Sequence, residues 1–536
     1  MTRLLQESHI AGPSTPPIVD ISVGEALREV AEQVPERTAI VEGIAEGRRR
    51  WTYAELLRDA EACARALLQR YEPGTKVGVW VPNAPEFTIF QFGAALAGMV
   101  LVTINPTFRE SELRFSIQQS GARLCLVYPE FRGAAMWEVA GRVRDDVEGF
   151  DDIINVASFR EFLDSADPST TLPVVDPLSP AQIQYTSGTT GVPKGAMIPH
   201  RAIVNDPRQA AILAGGRDGD AWMGILPLFH VGGCVLGGMG ALSLRGTFVP
   251  LLNFEPGLAL RLIEEERINI MNPVPTMIAA MMQHPDFASR DLSSLRSVVS
   301  GGATVPPEMV KAIEESLGVD FTIVFGQTET TGVITMTSVD DTIDDKAFTS
   351  GLPLPGIEVK ISDPETGRTM PVGEVGELMT RGYHTMLGYN GNPEGTAAAL
   401  ESDGWLHTGD LGIMDDRGYI RIAGRIKDMI IRGGENLFPR EIEDELFQHD
   451  KLASAAVVGV PDSYYGEIAI AFVIPKEGES IAGAELVDYL RSRLSGYKIP
   501  ARWFLLEAFP QTLSGKIQKF VIREQFLAGA YDTSEV

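Results

Sequence analysis

The stretch KVGVWVPN, residues 76–83, is an apolar run that ends in a Pro-Asn turn, and a helical segment follows it. Two further apolar runs come next, VLVTIN (residues 100–105) and RLCLVYPE (residues 123–130), with another helical segment between them. Strand, helix and strand at this spacing indicate βαβ units and a parallel sheet. The pattern resumes after residue 180, where INIMNPVP (residues 268–275) and FTIVFG (residues 321–326) are expected to be buried strands.

The chain changes character on either side of these units. Residues 22–68 alternate amphipathic helical segments with a short strand, and beyond residue 425 charged residues mix with short β runs around a helix expected over residues 482–493. With 536 residues the chain exceeds a single core, which stops growing at roughly 250–300 residues. We therefore predict an α/β fold with a large N-terminal domain of parallel-type sheets and flanking helices (residues 1–425) and a small, mobile α+β C-terminal domain (residues 426–536).

The formal net charge of −26 limits the partners that the chain can bind. A chain this acidic lacks the basic surface that nucleic-acid phosphates require, and it repels anionic membranes. It also repels anionic small molecules at long range, so their binding must rest on helix N-termini, backbone donors, a few cations and a metal ion. The charge is interpreted mainly as a source of solubility.

The cysteines and the apolar runs of the chain bear on the cell compartment that the sequence predicts and on whether it crosses a membrane. The three cysteines lie far apart without a CxxC pair, so neither a disulfide scaffold nor a zinc site is expected, and a reducing cytoplasm fits. Residues 1–17 lack a secretory apolar core and are interpreted as a polar lead-in. Residues 87–108 and 221–244 are uncharged and reach the length of about 20 residues that crosses a bilayer. Both stretches contain proline, so the first is expected to form a buried helix followed by a strand, and the second a strand and a loop. No membrane span is therefore predicted.

The strongest functional signal is YTSGTTGVPKG, residues 185–195. Glycines let the backbone approach a polyphosphate, hydroxyl and N–H groups donate to it, and Lys194 adds a positive charge. The register differs from the GxxxxGK(S/T) of nucleotide P-loops, so their phosphoryl-transfer chemistry is not expected. The alternative is a flexible turn without a ligand. The residues predicted to hold phosphate are Thr186, Ser187, Gly188, Thr189, Thr190, Gly191 and Lys194.

This run resembles the phosphate-binding signature of the adenylate-forming superfamily, which contains acyl- and aryl-CoA synthetases, firefly-type luciferases and the adenylation domains of peptide synthetases. The other motifs of that family follow in order: GQTE (residues 326–329), LHTGD (residues 406–410), GRIKDMIIRGG continuing to PREIE (residues 424–443), and LSGKIQK (residues 513–519). Phe325 stands where the family usually has tyrosine. The similarity covers nearly the whole chain, and the C-terminal motifs look most like those of medium-chain fatty acyl-CoA synthetases.

By this resemblance the motifs form an ATP site. Asp410 and Arg425 would hold the ribose, because an acidic side chain accepts hydrogen bonds from ribose hydroxyls. Thr328 and Glu329 follow a buried strand, and a carboxylate beside polyphosphate implies that Glu329 binds Mg²⁺. The remaining predicted ATP contacts, along the adenine and at the strand end, are Gly301, Gly302, Ala303, Phe325, Gly326 and Gln327.

The resemblance also assigns the chemistry. Lys516 would stabilise the charge that builds on the α-phosphate oxygens as the carboxylate of the acid attacks. Lys427 would be the hinge about which the small domain rotates, and Arg432, Gly433 and Gly434 would then meet coenzyme A. His230 is expected to line the acyl pocket, whose other predicted residues are Gly232, Gly233, Gly237, Val274, Gly332 and Val333, with glycines leaving room for a bulky group. The predicted catalytic set is Lys516, Glu329, Thr328 and His230.

We therefore expect an ATP-dependent carboxylic acid:CoA ligase that uses ATP, Mg²⁺ and coenzyme A. Its acid would be apolar, either medium-chain aliphatic or aromatic, because the pocket segment has no charged anchor. A ligase for aryl or polyketide-type acids of a biosynthetic pathway is the alternative. An amino-acid adenylation module is disfavoured because residues 228–230, Leu-Phe-His, include no acid to pair with an ammonium. A luciferase-like oxygenase and a non-catalytic nucleotide-binding protein are less favoured still. The sequence leaves open whether the protein is a homodimer and whether a carrier-protein thiol accepts the acyl group instead of coenzyme A.

Overall fold

The structure, a computed structural model, describes residues 4–186, 193–301, 305, 307–433, 435–511 and 517–531. Its strands are β1 (His9–Ala11), β2 (Thr38–Val41), β3 (Arg50–Thr52), β4 (Lys76–Trp80), β5 (Val100–Thr103), β6 (Leu124–Val127), β7 (Asp152–Asn155), β8 (Pro180–Thr186), β9 (Lys194–Pro199), β10 (Ala221–Gly224), β11 (Thr247–Pro250), β12 (Ile270–Met271), β13 (Ser297–Gly301), β14 (Asp320–Phe325), β15 (Thr335–Met336), β16 (Leu352–Pro353), β17 (Ile357–Ser362), β18 (Gly376–Gly382), β19 (Gly388–Tyr389), β20 (Leu406–Met414), β21 (Ile420–Arg425), β22 (Ile430–Arg432), β23 (Glu435–Leu437), β24 (Leu452–Asp462), β25 (Gly466–Pro475) and β26 (Arg502–Leu505).

Its α-helices are α1 (Val23–Gln33), α2 (Tyr53–Leu68), α3 (Pro85–Leu96), α4 (Glu110–Ser120), α5 (Met136–Asp146), α6 (Phe159–Asp164), α7 (His200–Leu213), α8 (Gly240–Ser243), α9 (Pro256–Glu265), α10 (Pro275–Met282), α11 (Pro307–Leu317), α12 (Ile343–Phe348), α13 (Pro393–Ala399), α14 (Pro439–Phe447), α15 (Gly483–Arg491) and α16 (Lys519–Leu527). Short 3₁₀ turns lie at Val156–Ser158, Thr328–Thr330, Ile426–Asp428 and Gly496–Lys498, and a π-helix spans Gly232–Met239.

The first apolar run lies in a sheet with the strand order β19-β9-β8-β5-β4-β6-β7. β4 is parallel to both neighbours, with Val77 opposite Leu101 on one side and Leu124 on the other. β5 and β6 are buried along their whole length, which explains why they read as continuous apolar runs rather than alternating ones. Because α3 and α4 connect these parallel strands, the predicted βαβ units are confirmed.

A second sheet has the order β16-β15-β14-β13-β12-β10-β11-β2-β3 and packs against the first through a layer of helices. Leu27 of α1, Phe90 of α3 and Ile203 of α7 share one buried core with Val79 of the first sheet and Trp222 of the second. Helices α4 and α5 cover the other face of the first sheet, and α9, α10 and α11 cover that of the second. This layering confirms the predicted α/β fold class.

The N-terminal lead-in differs from its expectation. It contributes β1 to a third, antiparallel sheet with the order β1-β17-β18-β20-β21, where His9 lies opposite Lys360 and Ala11 lies opposite Glu358. A strand of three residues is too short to show a sequence period, so only its partner strand reveals it.

The residues beyond β21 build a sheet of their own, β23-β22-β25-β24, with β26 parallel to β25. Helices α14 and α15 bury Leu446 and Leu486 on one face, and α16 buries Ile522 against Phe472 on the other. The helix expected over residues 482–493 is α15. We refer to this part of the chain as the small unit.

The segment 221–244 forms the expected strand, β10, but its predicted loop is instead the π-helix Gly232–Met239 followed by α8. Glycine disfavours helix by about 1 kcal/mol, so the glycines of this stretch obscured it in the sequence. Close packing requires glycine there, because a Cβ at Gly233 would overlap the carbonyl oxygen of Pro227. Within the described ranges, every helix is too short or too polar to cross a membrane.

Candidate active site

The run that resembles a phosphate-binding signature begins and ends on two paired strands. β8 and β9 are antiparallel, with Tyr185 opposite Gly195 and Thr186 opposite Lys194. Thr186 and Lys194, which flank residues 187–193, therefore lie side by side. Residues 187–193, which the sequence predicts to hold phosphate, are called the phosphate loop below. The predicted contacts Ser187, Gly188, Thr189, Thr190 and Gly191 lie outside the described residues.

Two glycines predicted to touch ATP also have a packing reason to be glycine. β13 and β14 are parallel, and a Cβ at Gly301 would overlap the carbonyl oxygen of Val324. A Cβ at Gly326, just after Phe325 at the end of β14, would overlap the carbonyl oxygen of Gly332. Close backbone approach alone thus explains both positions. Gly302 and Ala303 lie outside the described residues.

The 3₁₀ turn Thr328–Thr330 follows β14 and contacts β8 and β9. Thr328 is buried in this turn and Glu329 is half-buried. Thr331 ends the turn with a φ of +61°, and its hydroxyl donates to the carbonyl of His384 at 2.7 Å. A non-glycine residue in this conformation costs on the order of 1–3 kcal/mol, so the surrounding contacts must hold the turn in place.

Tyr389 joins Glu329 to the base of the phosphate loop. Its hydroxyl donates to Oε1 of Glu329 at 2.8 Å, and Nζ of Lys194 lies 4.9 Å from the centroid of its ring. Burial, and then the neighbouring Glu329 carboxylate, raise the pKa of Tyr389 above its usual value. Sequence reasoning missed this residue, because only the pairing of β19 with β9 brings it to the site.

The donor set at Glu329 fits magnesium better than a transition metal. Within the described part of the chain, no three His, Cys, Asp or Glu side chains converge on a metal position. Mg²⁺ usually keeps several waters and is bound by one or two carboxylates plus substrate phosphates, so a single carboxylate beside a phosphate loop suits it.

Asp410 and Arg425, on the last two strands before the small unit, lie close to Lys427, which begins it. Asp410 and Arg425 are paired residues of β20 and β21, and Nε of Arg425 donates to Oδ1 of Asp410 at 3.1 Å. Burial and the Arg425 charge lower the pKa of Lys427, while Asp428 and Asp410 act in the opposite sense. Asp410 is only 7% exposed, so its carboxylate is held in a fixed position.

A hydrogen bond also joins two segments of the predicted ATP site. Nε2 of Gln327 donates to the carbonyl of Thr408 at 3.4 Å. The second residue after β14 is thereby linked to the LHTGD motif on β20, which carries Asp410.

The segment predicted to meet coenzyme A lies at the end of β22. Arg432 donates from Nη1 to the carbonyl of Tyr497, and its guanidinium lies 4.6 Å from the ring centroid of Tyr465. Gly433 has a φ of +61°, a conformation that favours glycine, and its N–H donates to the carbonyl of Tyr465 at 2.8 Å. Gly434 lies outside the described residues.

Of the predicted acyl-pocket residues, Gly232, Gly233 and Gly237 lie on the π-helix, and His230 lies just before it. Nδ1 of His230 accepts from the N–H of Gly232 at 3.1 Å, which leaves the proton of a neutral imidazole on Nε2. Gly233 and Gly237 face the carbonyl oxygen of Pro227 and the ring of Phe248, respectively, so packing as well as pocket space favours glycine there. The other members are Val274, which is the N-cap of α10, Gly332 and Val333.

A buried carboxyl that sequence reasoning missed lies beside two of the predicted pocket residues. Oδ2 of Asp206, on α7, accepts from the N–H of Val333 at 3.0 Å and would lie 3.6 Å from a Cβ at Gly332. Oδ1 is buried without a partner among the described residues, and so is the hydroxyl of Tyr383. Burial raises the pKa of Asp206 well above its ordinary value.

Asp206→Asn is expected to stabilise the fold at neutral pH, because burial raises the pKa of Asp206 and asparagine has no carboxyl group to ionise. The folded pKa lies above the unfolded one, so the wild type loses stability as pH rises above about 4, and asparagine removes that loss. The gain should therefore shrink toward acid pH. Chemical denaturation at about pH 5 and about pH 8 measures it.

Asp345→Asn is a control of opposite sign. Arg417 lowers the pKa of Asp345 by a hydrogen bond, so this carboxylate stabilises the fold above its unfolded pKa. Replacing Asp345 should destabilise the fold at neutral pH. If Asp206→Asn also destabilised the fold, the expectation for Asp206 would be wrong.

Lys516 lies outside the described residues, but both flanks of its segment are fixed. Gln511 and Ile517 form a β-bridge, and the N–H of Gln518 donates to the carbonyl of Pro510 at 2.8 Å. Lys519 follows at once, and its Nζ lies 2.6 Å from Oε1 of the buried Glu443 on α14.

Comparison with known proteins shows the family of the chain. The family model described as AMP-binding enzyme matches residues 27–390, and the model of the C-terminal domain of these enzymes matches residues 441–516. The chain is 34% identical over 560 residues to the mitochondrial medium-chain acyl-CoA ligase ACSF2 of Danio rerio, covering 97% of this chain and 91% of that protein.

Two further relatives are CoA ligases for cyclic acids. A ligase of Rhodococcus jostii (strain RHA1), named for a methyl-dioxo-octahydroindenyl propanoyl group, is 34% identical over 519 residues, covering 93% of this chain and 98% of that protein. The solved anthranilate CoA ligase AuaEII, in complex with anthranoyl-AMP, superposes with a TM-score of 0.87 at 26% identity, covering 96% of this chain and 99% of that one. The chain belongs to the family of AMP-binding enzymes, and within it to the ATP-dependent acyl- and aryl-CoA ligases.

Proposed function

We propose that this enzyme activates an apolar carboxylic acid as an acyl-adenylate and then transfers the acyl group to the thiol of coenzyme A. The observation that carries the proposal is the grouping of Glu329, Tyr389 and Lys194 at the base of the phosphate loop. A carboxylate and an ammonium beside a loop rich in glycine and hydroxyl groups suit a polyphosphate with its magnesium ion.

The nucleotide would extend from this group toward Asp410. The carboxylate of Asp410, oriented by Arg425, would accept from the ribose hydroxyls, and the phosphate loop with Lys194 would hold the phosphates. Glu329 would hold Mg²⁺, which neutralises phosphate charge when bound. Phe325, Gly326 and Gln327 would flank the nucleotide at the end of β14.

In the first step, a carboxylate oxygen of the acid attacks the α-phosphorus, a new oxygen–phosphorus bond forms, and pyrophosphate leaves. Negative charge builds on the non-bridging oxygens during this step. Lys194, and by sequence resemblance Lys516, would stabilise it. The product is a mixed anhydride of the acid and AMP.

The second step would use the small domain of residues 426–536. Rotation about Lys427 would bring Arg432 and Gly433 to the adenylate, and the positive φ of Gly433 would leave room for the pantetheine arm. The thiolate sulfur of coenzyme A attacks the acyl carbon, the bond to the AMP oxygen breaks, and AMP leaves. The thiol proton goes to solvent before attack.

An apolar acid is supported by the predicted pocket. Val274 and Val333 are buried apolar residues, and His230 lies on the same segment as the glycines of the π-helix. The named relatives act on a medium-chain acyl group, anthranilate and a fused-ring propanoyl group, which support an aliphatic or an aromatic acid here.

The proposal is tested by measuring pyrophosphate release and thioester formation with ATP and coenzyme A across a panel of acids. Octanoate, decanoate, benzoate and naphthoate represent the apolar classes, and phenylalanine and malonate carry a second charge. We expect CoA-dependent product from at least one apolar acid, with the charged acids much poorer. Product from the charged acids alone, or adenylate without thioester from every acid, would overturn the proposal.

A further inference from the structure

We infer that Tyr389 is a positioning residue that holds Glu329 and Lys194 apart and aims both at the triphosphate of ATP. The inference rests on the proposed function of this site, and no motif of the sequence assigned Tyr389 a role. It follows from two contacts of one side chain, the hydroxyl bond to Glu329 and the ring face beneath Lys194.

The two charges that Tyr389 contacts would otherwise be drawn together. At the base of the phosphate loop a free ammonium and a free carboxylate attract each other, and a direct pair would occupy both groups that ATP and magnesium need. Among the described residues no ion pair joins Lys194 to Glu329, although both contact the same tyrosine. The ring instead offers Lys194 a weaker cation–π contact that leaves its N–H groups available.

The hydroxyl acts on Glu329 in a specific direction. It occupies one lone pair of Oε1 at 2.8 Å and so fixes the rotation of the carboxylate, leaving Oε2 for a ligand. Outer hydrogen bonds of this kind orient metal-binding carboxylates, and their loss typically costs about 10- to 100-fold in metal affinity.

The backbone around Tyr389 is built to keep it there. The N–H of Met386 donates to the carbonyl of Glu329 at 2.8 Å, and that of Asn390 donates to the carbonyl of Gly195 at 2.8 Å. Residues 386–390 thus run from the turn that carries Glu329 to the strand that begins with Lys194. The N–H of Tyr389 donates to Oγ1 of Thr396 at 2.8 Å, and a Cβ at Gly388 would lie 2.7 Å from Cγ2 of the same threonine.

The side chain of Asn390 fixes the other end of this segment. It accepts from Nζ of Lys76 at 2.8 Å and donates to the carbonyl of Gln119 at 2.8 Å. Asn390 is buried, so the segment cannot move without breaking several internal hydrogen bonds. Tyr389 therefore has the rigid support that a positioning residue requires.

The test measures binding of a fluorescent ATP analogue at equilibrium, in EDTA and in saturating magnesium, so that no turnover is involved. Tyr389→Phe should reduce the magnesium-dependent gain in affinity by about tenfold. Tyr419→Phe is the matched control, since Tyr419 also donates to a carboxylate, Asp341 at 2.7 Å, and lies 4.6 Å from a cation, Arg417. That variant should leave the gain unchanged.

A double variant distinguishes the positioning of Glu329 by Tyr389 from a general loss of rigidity at the site. If the hydroxyl acts through Glu329, Tyr389→Phe should cost nothing further in the Glu329→Gln background. Three outcomes would overturn the inference. They are a further loss of affinity when Tyr389→Phe is added to Glu329→Gln, an unchanged magnesium-dependent gain in affinity in Tyr389→Phe alone, and no magnesium-dependent gain in the wild type. This binding test contains neither acid nor coenzyme A. If the ligase assay failed while the magnesium-dependent gain in affinity was as expected, only the proposed function would be overturned.

Discussion

Lys516→Ala is expected to slow acyl-adenylate formation roughly 100- to 1,000-fold, the usual loss when a donor to developing transition-state charge is removed. Pyrophosphate release with ATP and the best acid of the panel measures this step. The charge that Lys516 would stabilise appears on the α-phosphate only while the acid attacks. Thioester formation from supplied acyl-adenylate should therefore be largely kept.

Lys476→Ala is the control for this variant. Lys476 is an exposed lysine of the small unit, in the turn after β25, and its removal lowers the net charge of the unit by the same amount. It should leave both half-reactions unchanged. Equal losses in the two half-reactions of Lys516→Ala would show that Lys516 does not have the assigned role.

Lys519→Met is expected to destabilise the small unit by about 3–5 kcal/mol, as is typical when one partner of a buried ion pair is removed. Glu443 accepts from Lys519 at 2.6 Å and from the N–H of Val457 at 2.6 Å, in a position that is 7% exposed. Burial raises the pKa of Glu443, and Lys519 counteracts that effect. Without Lys519 the carboxylate must stay charged and unpaired or take up a proton.

Hydrogen exchange of peptides from β24 and β25 reports the stability of this unit within the full chain. The double variant Lys519→Met with Glu443→Leu should recover much of the loss, because it removes the uncompensated charge. Lys451→Met is the surface control, since Lys451 pairs with Glu485 at 2.8 Å but both side chains are about two-fifths exposed. If Lys519→Met destabilised the small unit no more than this control does, the pair of Lys519 and Glu443 would not stabilise the unit.

The sequence predicted the parts of the fold that rest on local pattern. The apolar runs of β4, β5 and β6 are visible because parallel strands covered on both faces need continuous apolar residues. The strand β1 and the π-helix were missed for the opposite reason. The first is too short to show a period, and the second is built from glycines that disfavour a helix until packing compensates.

The candidate site divides in the same way. Glycine- and hydroxyl-rich residues 185–195 and the motifs that carry Glu329, Asp410 and Arg425 are contiguous in the chain, so the kind of ligand could be predicted from them. Tyr389 and Asp206 carry no such signal. Each matters only through a contact with a residue 60 or 127 positions away.

The linear chain therefore determined the chemistry of the ligand, a nucleotide phosphate and an acid, because motifs are strings of adjacent residues. Tertiary structure alone decided which charges meet and what holds them apart. Pairing of β19 with β9 brings a tyrosine between Lys194 and Glu329, and packing of α7 places a buried carboxyl behind Val333. Long-range pairing of this kind depends on the whole packed core, and no short segment encodes it.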